Sequence, residues 1–385
     1  MRIWFDILTP KQILFFKSFV DILRKDNHDI LCTGRDYREA KELARIKKMD
    51  IQTIGKHGGD NKYEKLYAST ERSFLLSSLI NSFNPDLTVS FSSPEAARVS
   101  FGLGIKHYVF NDSPHATAVA RLTIPLVDRL FCPWVIPVKE WTKFGLEKDK
   151  ITTYKALDPI VWIKKELENN NNNNQEIVEL KKTLKIDEGK KIVLIRPEEV
   201  KASYIADKNV KNSIELIDEI VNSFSDKYNI LILARYKDQI DFYKNRFENK
   251  NGIKVIETVT DGFLLLKLTD LFIGAGGTMS AEAALIGKPV ISITPINFYV
   301  ENYLIKMGLI KKIRNSEILN KYIKKILSDD NDVDNNNNYN VKNRRKKSSY
   351  KKQLSYKDNI IRRSQRIVAK MDDPIEIFKK FLLNS

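Results

Sequence analysis

Cysteine, histidine and long apolar runs are all scarce in this chain, and each scarcity excludes something. Cys32 and Cys132 are the only cysteines among 385 residues. Two thiols so far apart make neither a disulfide framework nor a paired-cysteine metal site. Both sit in apolar company, which suggests buried thiols. The longest apolar runs are strand-length, short of the ~20 residues that a transmembrane helix needs. Met1 leads directly into a strand-like segment, without the basic start and apolar core of a signal peptide. These features lead us to expect a cytoplasmic protein. The Asp-x-Asp pattern Asp332-Val333-Asp334 lies in a low-complexity run, and no metal is expected.

Acid is in deficit, but only locally. The formal net charge is +16, and residues 342–370 hold 12 Lys or Arg against the single acid Asp358, leaving +5 for all the rest. The basicity therefore belongs to a segment near the C-terminus, and nucleic acid is not an expected partner. Residues 329–350 run from acidic to asparagine-rich to basic and read as a disordered insertion. Beyond it, Ile360, Ile361, Ile367, Val368 and Met371 recover a helical apolar face, with Arg362, Arg363, Arg366 and Lys370 on the other side. Such a helix packs on its own protein more often than on an anionic membrane, and peripheral membrane contact is kept as the alternative.

What is present is alternation. Residues 1–155 read as strands at 2–8, 29–33, 51–54, 87–90, 107–110 and 130–132, separated by helices at 12–24, 37–48 and 69–83 and one opening at Ser93-Pro94-Glu95. Residues 156–175 read as an interdomain connection ending in the solvated asparagine run 169–174. Alternation resumes over 176–328, with strands at 191–196, 230–234, 255–256, 271–273 and 290–293, and residues 351–385 form C-terminal helices. A chain this long favours two domains, and strand–helix alternation implies parallel, doubly wound sheets. In such sheets ligands bind beyond the carboxyl ends of the strands.

The polar clusters fall at those ends. In the first domain they are Asp6, Thr9 and Lys11; Lys56, His57, Gly58 and Gly59; Ser92 and Ser93; and Asn111, Asp112 and His115. Turn chemistry explains any one of them; four on one edge point to a site. His115 is the first candidate for a general acid or base and His57 the second, because imidazole titrates near neutrality. His28 and His107 flank strands and read as structural. In the second domain Gly276 and Gly277 separate a strand from a helix expected over 281–286, capped by Thr278 or Ser280. A glycine loop feeding a helix N-terminus makes either a tight turn or a phosphate cradle. Arg196 and Arg235 follow two other strands of that domain, placed to meet phosphate oxygens. Glu282, read on the first helical turn, suits either the helix dipole or a ribose.

This organisation resembles the GT-B architecture: two Rossmann-like α/β domains facing a cleft, with a C-terminal helix. The segment from Gly276-Gly277 through Glu282-Ala283 to Gly287-Lys288-Pro289 is similar to the nucleotide-binding segment of non-hydrolysing UDP-N-acetylglucosamine 2-epimerases. There a Gly-Gly pair meets the diphosphate and a glutamate holds the ribose. The present loop is one residue longer between them. The segments WFDILTPKQ, GKHGGD, SFSSPEAAR and FNDSPHA are similar to an archaeal family of unknown function, family 354. The epimerases' His-Val-Glu-Ala-Gly segment is replaced by Asn111-Asp112-Ser113-Pro114-His115.

The resemblance implies a UDP-sugar substrate in the cleft. Gly276, Gly277, Thr278, Glu282 and Arg196 would hold the nucleotide, and Asp6, Lys11, His57, Asp112 and His115 would face the sugar or an acceptor of unknown identity. Glycosyl transfer is the leading expectation. Epimerisation at C2 and nucleotide binding or assembly without turnover are the alternatives. GT-B sites often use helix dipoles and basic groups in place of a metal, so no cofactor is expected.

Overall fold

A computed structural model describes residues 1–59, 61–168, 173–198, 211–258, 261–328 and 355–382. Its strands form two all-parallel sheets. The first joins β1 (Arg2–Asp6), β2 (Asp29–Asp36), β3 (Gln52–Lys56), β4 (Leu87–Ser90), β5 (Lys106–Phe110), β6 (Arg129–Pro133) and β7 (Ile151–Tyr154) in the order β3-β2-β1-β4-β5-β6-β7. The second joins β8 (Ile192–Arg196), β9 (Asn229–Ile232), β10 (Ile253–Val255), β11 (Leu271–Gly274), β12 (Val290–Ser292) and β13 (Ile310–Lys312) in the order β10-β9-β8-β11-β12-β13. Each order reverses once, between β1 and β4 and between β8 and β11, which opens a crevice at the carboxyl ends there. The expected GT-B-like α/β class is the one observed.

Local sequence explains most elements. Central strands are covered by helices on both faces and must be apolar throughout; all four residues of β11 are buried. Helix Pro10–Lys25 starts with proline at its first position and buries Ile13, Phe16, Val20 and Leu23 at helical spacing.

Several elements depart from expectation. The helix expected from Ser69 begins at Lys62, where the Asn61 side chain accepts the N–H groups of Tyr63 and Glu64. Its first turns lack a one-sided apolar pattern because Tyr63, Leu66 and Tyr67 point outward. Strands β7 and β13 were not anticipated. The stretch read as a connection holds helix Ile160–Glu168, and helix Asn173–Thr183 starts inside the asparagine run. Ile160, Val161, Trp162 and Ile163 are all buried, in one apolar cluster that continues into both domains. The insertion 329–350, with Asp332-Val333-Asp334, lies outside the described residues.

The basic tail also has a place. Helix Tyr356–Val368 buries Ile360 and Ser364. Lys357 pairs with Asp270 at 3.0 Å and Arg363 donates to the Gly308 carbonyl at 3.1 Å. Arg362, Arg366 and Lys370 stay exposed. Among the described residues no helix is long and apolar enough to cross a membrane.

The last helix, Pro374–Leu382, returns to the first domain. Its fully buried Phe378 lies 5.6 Å from the Phe19 ring and 5.7 Å from those of Phe110 and Phe131. Phe378→Ala should therefore cost about 3–5 kcal/mol of first-domain stability through lost contact and a residual cavity. Urea unfolding followed by circular dichroism and tryptophan fluorescence measures it.

Candidate functional site

A cavity of about 580 Å³ lies where the carboxyl ends of the two sheets face each other. His115, Asp112, His57, Gly276, Gly277, Thr278, Glu282 and Arg196 all line it, as does Lys11. Asp6 does not. It is the last residue of a central strand, and its side chain turns beneath the sheet edge, fully buried. There Arg72 donates to its two oxygens at 2.5 and 3.0 Å, and Ser93 and Thr33 hydroxyls donate at 2.6 and 2.7 Å. Burial raises its pKa, but Arg72 overrides that and holds the carboxylate below its usual range. Asp6 is a buried strut under the site.

The second-domain wall is built around β11. A Cβ on Gly274 would come within 2.6 Å of the Phe272 ring and 2.7 Å of Ser280 Oγ. Gly276 and Gly277 then take φ of 87° and 88°, the left-handed region that favours glycine. Gly277 itself is the N-cap of helix Thr278–Leu285, and no side chain caps that end. This corrects the expected capping by Thr278 or Ser280. The backbone N–H groups of the first turn are thus turned toward the cavity with the positive end of the helix dipole. Ser280, which also lines the cavity, is buried and its hydroxyl has no hydrogen-bond partner.

Glu282 stands on the second turn, because the helix starts three residues earlier than expected. Its Oε1 accepts from Trp162 Nε1 at 2.6 Å. Burial pushes its pKa up to about 7, against the effect of that indole. Arg196, at the end of β8, donates to the carbonyls of Leu233 and Ala234 at 2.6 and 3.2 Å. Burial, then the neighbouring Arg235, lowers its pKa to about 9. Positive charge here is costly and suits an anion.

The first-domain wall centres on Lys11, the second residue of helix Pro10–Lys25. Its ammonium lies 2.6 Å from Asp112 and 2.7 Å from Asp158, and 4.2 Å from the Phe91 ring centre. Tyr154 donates to the other Asp158 oxygen. Burial raises both carboxyl pKa values. Lys11 reverses this for Asp112, which stays low, whereas Asp158, deeper and facing a second carboxylate, rises to about 6. Burial alone would lower the pKa of Lys11, and the two aspartates keep it raised. Asp158 was missed in the sequence. Its only local signal is an Asp-Pro between a strand and a helix.

His115 meets the second domain directly, its ring 4.7 Å from that of Phe298. Burial lowers its pKa despite Asp112, keeping the imidazole neutral at pH 7. His57 lines the same cavity from another strand. It follows edge strand β3, four strand positions from β5, or roughly 19 Å at the usual strand spacing. There it stacks on Tyr37 at 5.2 Å and accepts the Gly59 N–H at 3.0 Å. His107 is structural as expected: it is buried, its Nε2 lies 2.9 Å from Ser90 Oγ, and burial lowers its pKa to about 3.

Removing one member of a buried ion group strands the others. Lys11→Ala should destabilise the protein by about 3–5 kcal/mol, and Lys11→Ala with Asp158→Leu by less, because the double change leaves one buried charge fewer unpaired. Denaturant midpoints of wild type and both variants test this.

Solved structures of the same fold carry related ligands. The UDP-GlcNAc 2-epimerase of Neisseria meningitidis bound to UDP-GlcNAc superposes with a TM-score of 0.73 at 14% identity, covering 100% of both chains. The UDP-GlcNAc 2-epimerase of Methanocaldococcus jannaschii with UDP-GlcNAc and UDP gives 0.68 at 18% identity, over 86% of this chain and 93% of that one. Anabaena HepE in complex with UDP-glucose gives 0.63 at 13% identity over 100% of both. In sequence, an uncharacterized protein of Methanocaldococcus jannaschii is 28% identical over 309 residues, 80% of this chain and 86% of its own length. Residues 1–363 match the model of the protein family of unknown function DUF354, and the chain belongs to that family.

Proposed function

We propose that this protein binds a UDP-sugar in the cleft and transfers its sugar to an acceptor hydroxyl. The observation that carries this reading is the division of one cavity into two unlike walls. One wall offers backbone N–H groups, a helix N-terminus and Arg196, which suit a diphosphate. The other offers Lys11, Asp112, Asp158 and His115, which suit proton transfer.

Asp112, the more accessible of the two carboxylates and held ionised by Lys11, takes the acceptor proton in this scheme, with neutral His115 as the other candidate base. The acceptor oxygen bonds to the sugar C1 as the bond from C1 to the UDP oxygen breaks. The charge left on UDP is met by the helix N-terminus and Arg196. Glu282 holds the ribose through the oxygen that Trp162 does not occupy.

A second reading, 2-epimerisation, is favoured by the split titration of Asp112 and Asp158 around one ammonium. Two carboxyls pushed apart in pKa provide a base and an acid in one place, as C2 proton exchange and UDP elimination require. UDP-N-acetylglucosamine alone in deuterated buffer separates the two by proton NMR. Epimerisation exchanges the C2 proton without an acceptor, and transfer leaves that signal intact.

Both readings expect UDP binding. Calorimetry should show UDP bound by wild type and at least about tenfold more weakly by folded Glu282→Ala, a loss of about 1.4 kcal/mol. If neither protein binds any nucleotide, both readings fail. An ionised carboxylate accepts ribose hydroxyls better than a neutral one, so UDP affinity should rise as pH increases through about 7. In Glu282→Gln that rise should disappear.

A further inference from the structure

The Lys62–Phe83 helix has a second face that the first domain does not use. Its inward face buries Ala68, Arg72, Leu76 and Ile80. Its outward face carries Tyr63, Tyr67, Thr70, Phe74, Ser77 and Asn81, recurring at alternate spacings of four and three residues. Such spacing aligns the six along one stripe of the helix, the geometry of a helix–helix seam, with aromatic rings at three of the positions. Tyr63 is 67% exposed and Phe74 74%. A solvated helix face is normally charged, yet residues 73 to 83 include no Asp, Glu, Lys or Arg.

The neighbouring helices extend this surface. Pro94–Leu103, which packs against the seam helix, exposes Phe101, and Thr117–Thr123 beyond it exposes Leu122. With Leu66 and Leu75 on the flanks, the exposed large apolar side chains amount to roughly 800 Å², at about 200 Å² for each one fully exposed. That exceeds the ~300–600 Å² patch of a typical monomer. It equals one partner's share, ~800 Å², of a standard protein interface.

We propose that this face joins two copies of the chain about a two-fold axis, seam against antiparallel seam. The order of residues carries this choice of partner. Antiparallel pairing about a point midway between positions 70 and 74 sets Tyr63 opposite Asn81, Tyr67 opposite Ser77, and Thr70 opposite Phe74. Every layer then places a ring against a small polar residue, so the seam is complementary to itself, as an isologous interface requires. A lipid surface fits less well, because it gives no reason for rings and small polar residues to take complementary places along the seam.

The interface would also brace the cleft. A Cβ on Gly58 would fall 2.5 Å from Lys65 Cα, so the loop carrying His57 rests directly on the seam helix. Helix Thr117–Thr123, which adds Leu122 to the face, begins two residues after His115.

Sedimentation equilibrium of the full chain tests the proposal. The wild type should run at twice the mass of one chain at about 50 µM. Phe74→Glu and, separately, Tyr67→Glu should raise the dimer dissociation constant about 100-fold with an unchanged circular dichroism spectrum. The register makes a sharper demand. Thr70→Lys added to Phe74→Glu sets opposite charges face to face across the axis and should restore the two-chain mass. A wild type of one-chain mass at that concentration overturns the proposal. So does a dimer indifferent to both single charges, and so does a double variant no tighter than Phe74→Glu alone. A one-chain species that co-sediments with phosphatidylglycerol vesicles, and loses this with Phe74→Glu, overturns it in favour of lipid.

Discussion

The ammonium of Lys11 is the interaction on which the site depends. It joins three pieces of chain that are remote in sequence: the start of the first helix, the loop after β5 and the connection between the domains. Burying two carboxylates this close is tolerable only because a cation lies between them. The same geometry separates their titration, leaving one aspartate ionised and the other near its midpoint at mildly acidic pH. Structural need and chemical capacity therefore share one cause. The charge that lets the connection pack against the first domain also differentiates its acids.

The opposite wall obeys another rule. Its features are mostly backbone: a pair of left-handed glycines, a helix start without a side-chain cap, and a guanidinium engaged with carbonyls. Backbone donors are rigid and cannot be repositioned by rotamer change, which favours a ligand part of constant shape. The side-chain wall facing them can vary without disturbing that cradle. Such an arrangement suits a fold that keeps one nucleotide-like group while changing what happens to the other end of the molecule.

The fold was legible because parallel sheets leave a strong trace: continuous apolar strands, separated by helices, with polar clusters at one edge. The glycine loop and the residues around Asp112 were legible for the same reason, since strand ends announce themselves. Asp6 shows the limit of that signal. A strand-end residue points either into the crevice or under it, and nothing local distinguishes the two until Arg72 is seen beneath. Asp158 and Trp162 were invisible because their partners are 147 and 120 residues away. The first turns of the Lys62–Phe83 helix were hidden by another effect. Apolar residues on both sides of a helix cancel the periodicity by which a one-sided helix is recognised.

The return of helix Pro374–Leu382 to the first domain has a consequence for synthesis. Phe378 fills a space among Phe19, Phe110 and Phe131 that no earlier residue occupies. A chain emerging from the ribosome makes the first sheet long before this plug exists. The core of the first domain is therefore completed only after helix Pro374–Leu382 has been made, although its seventh strand ends at Tyr154. Until then the nascent first domain keeps an unfilled space between the rings of Phe19, Phe110 and Phe131.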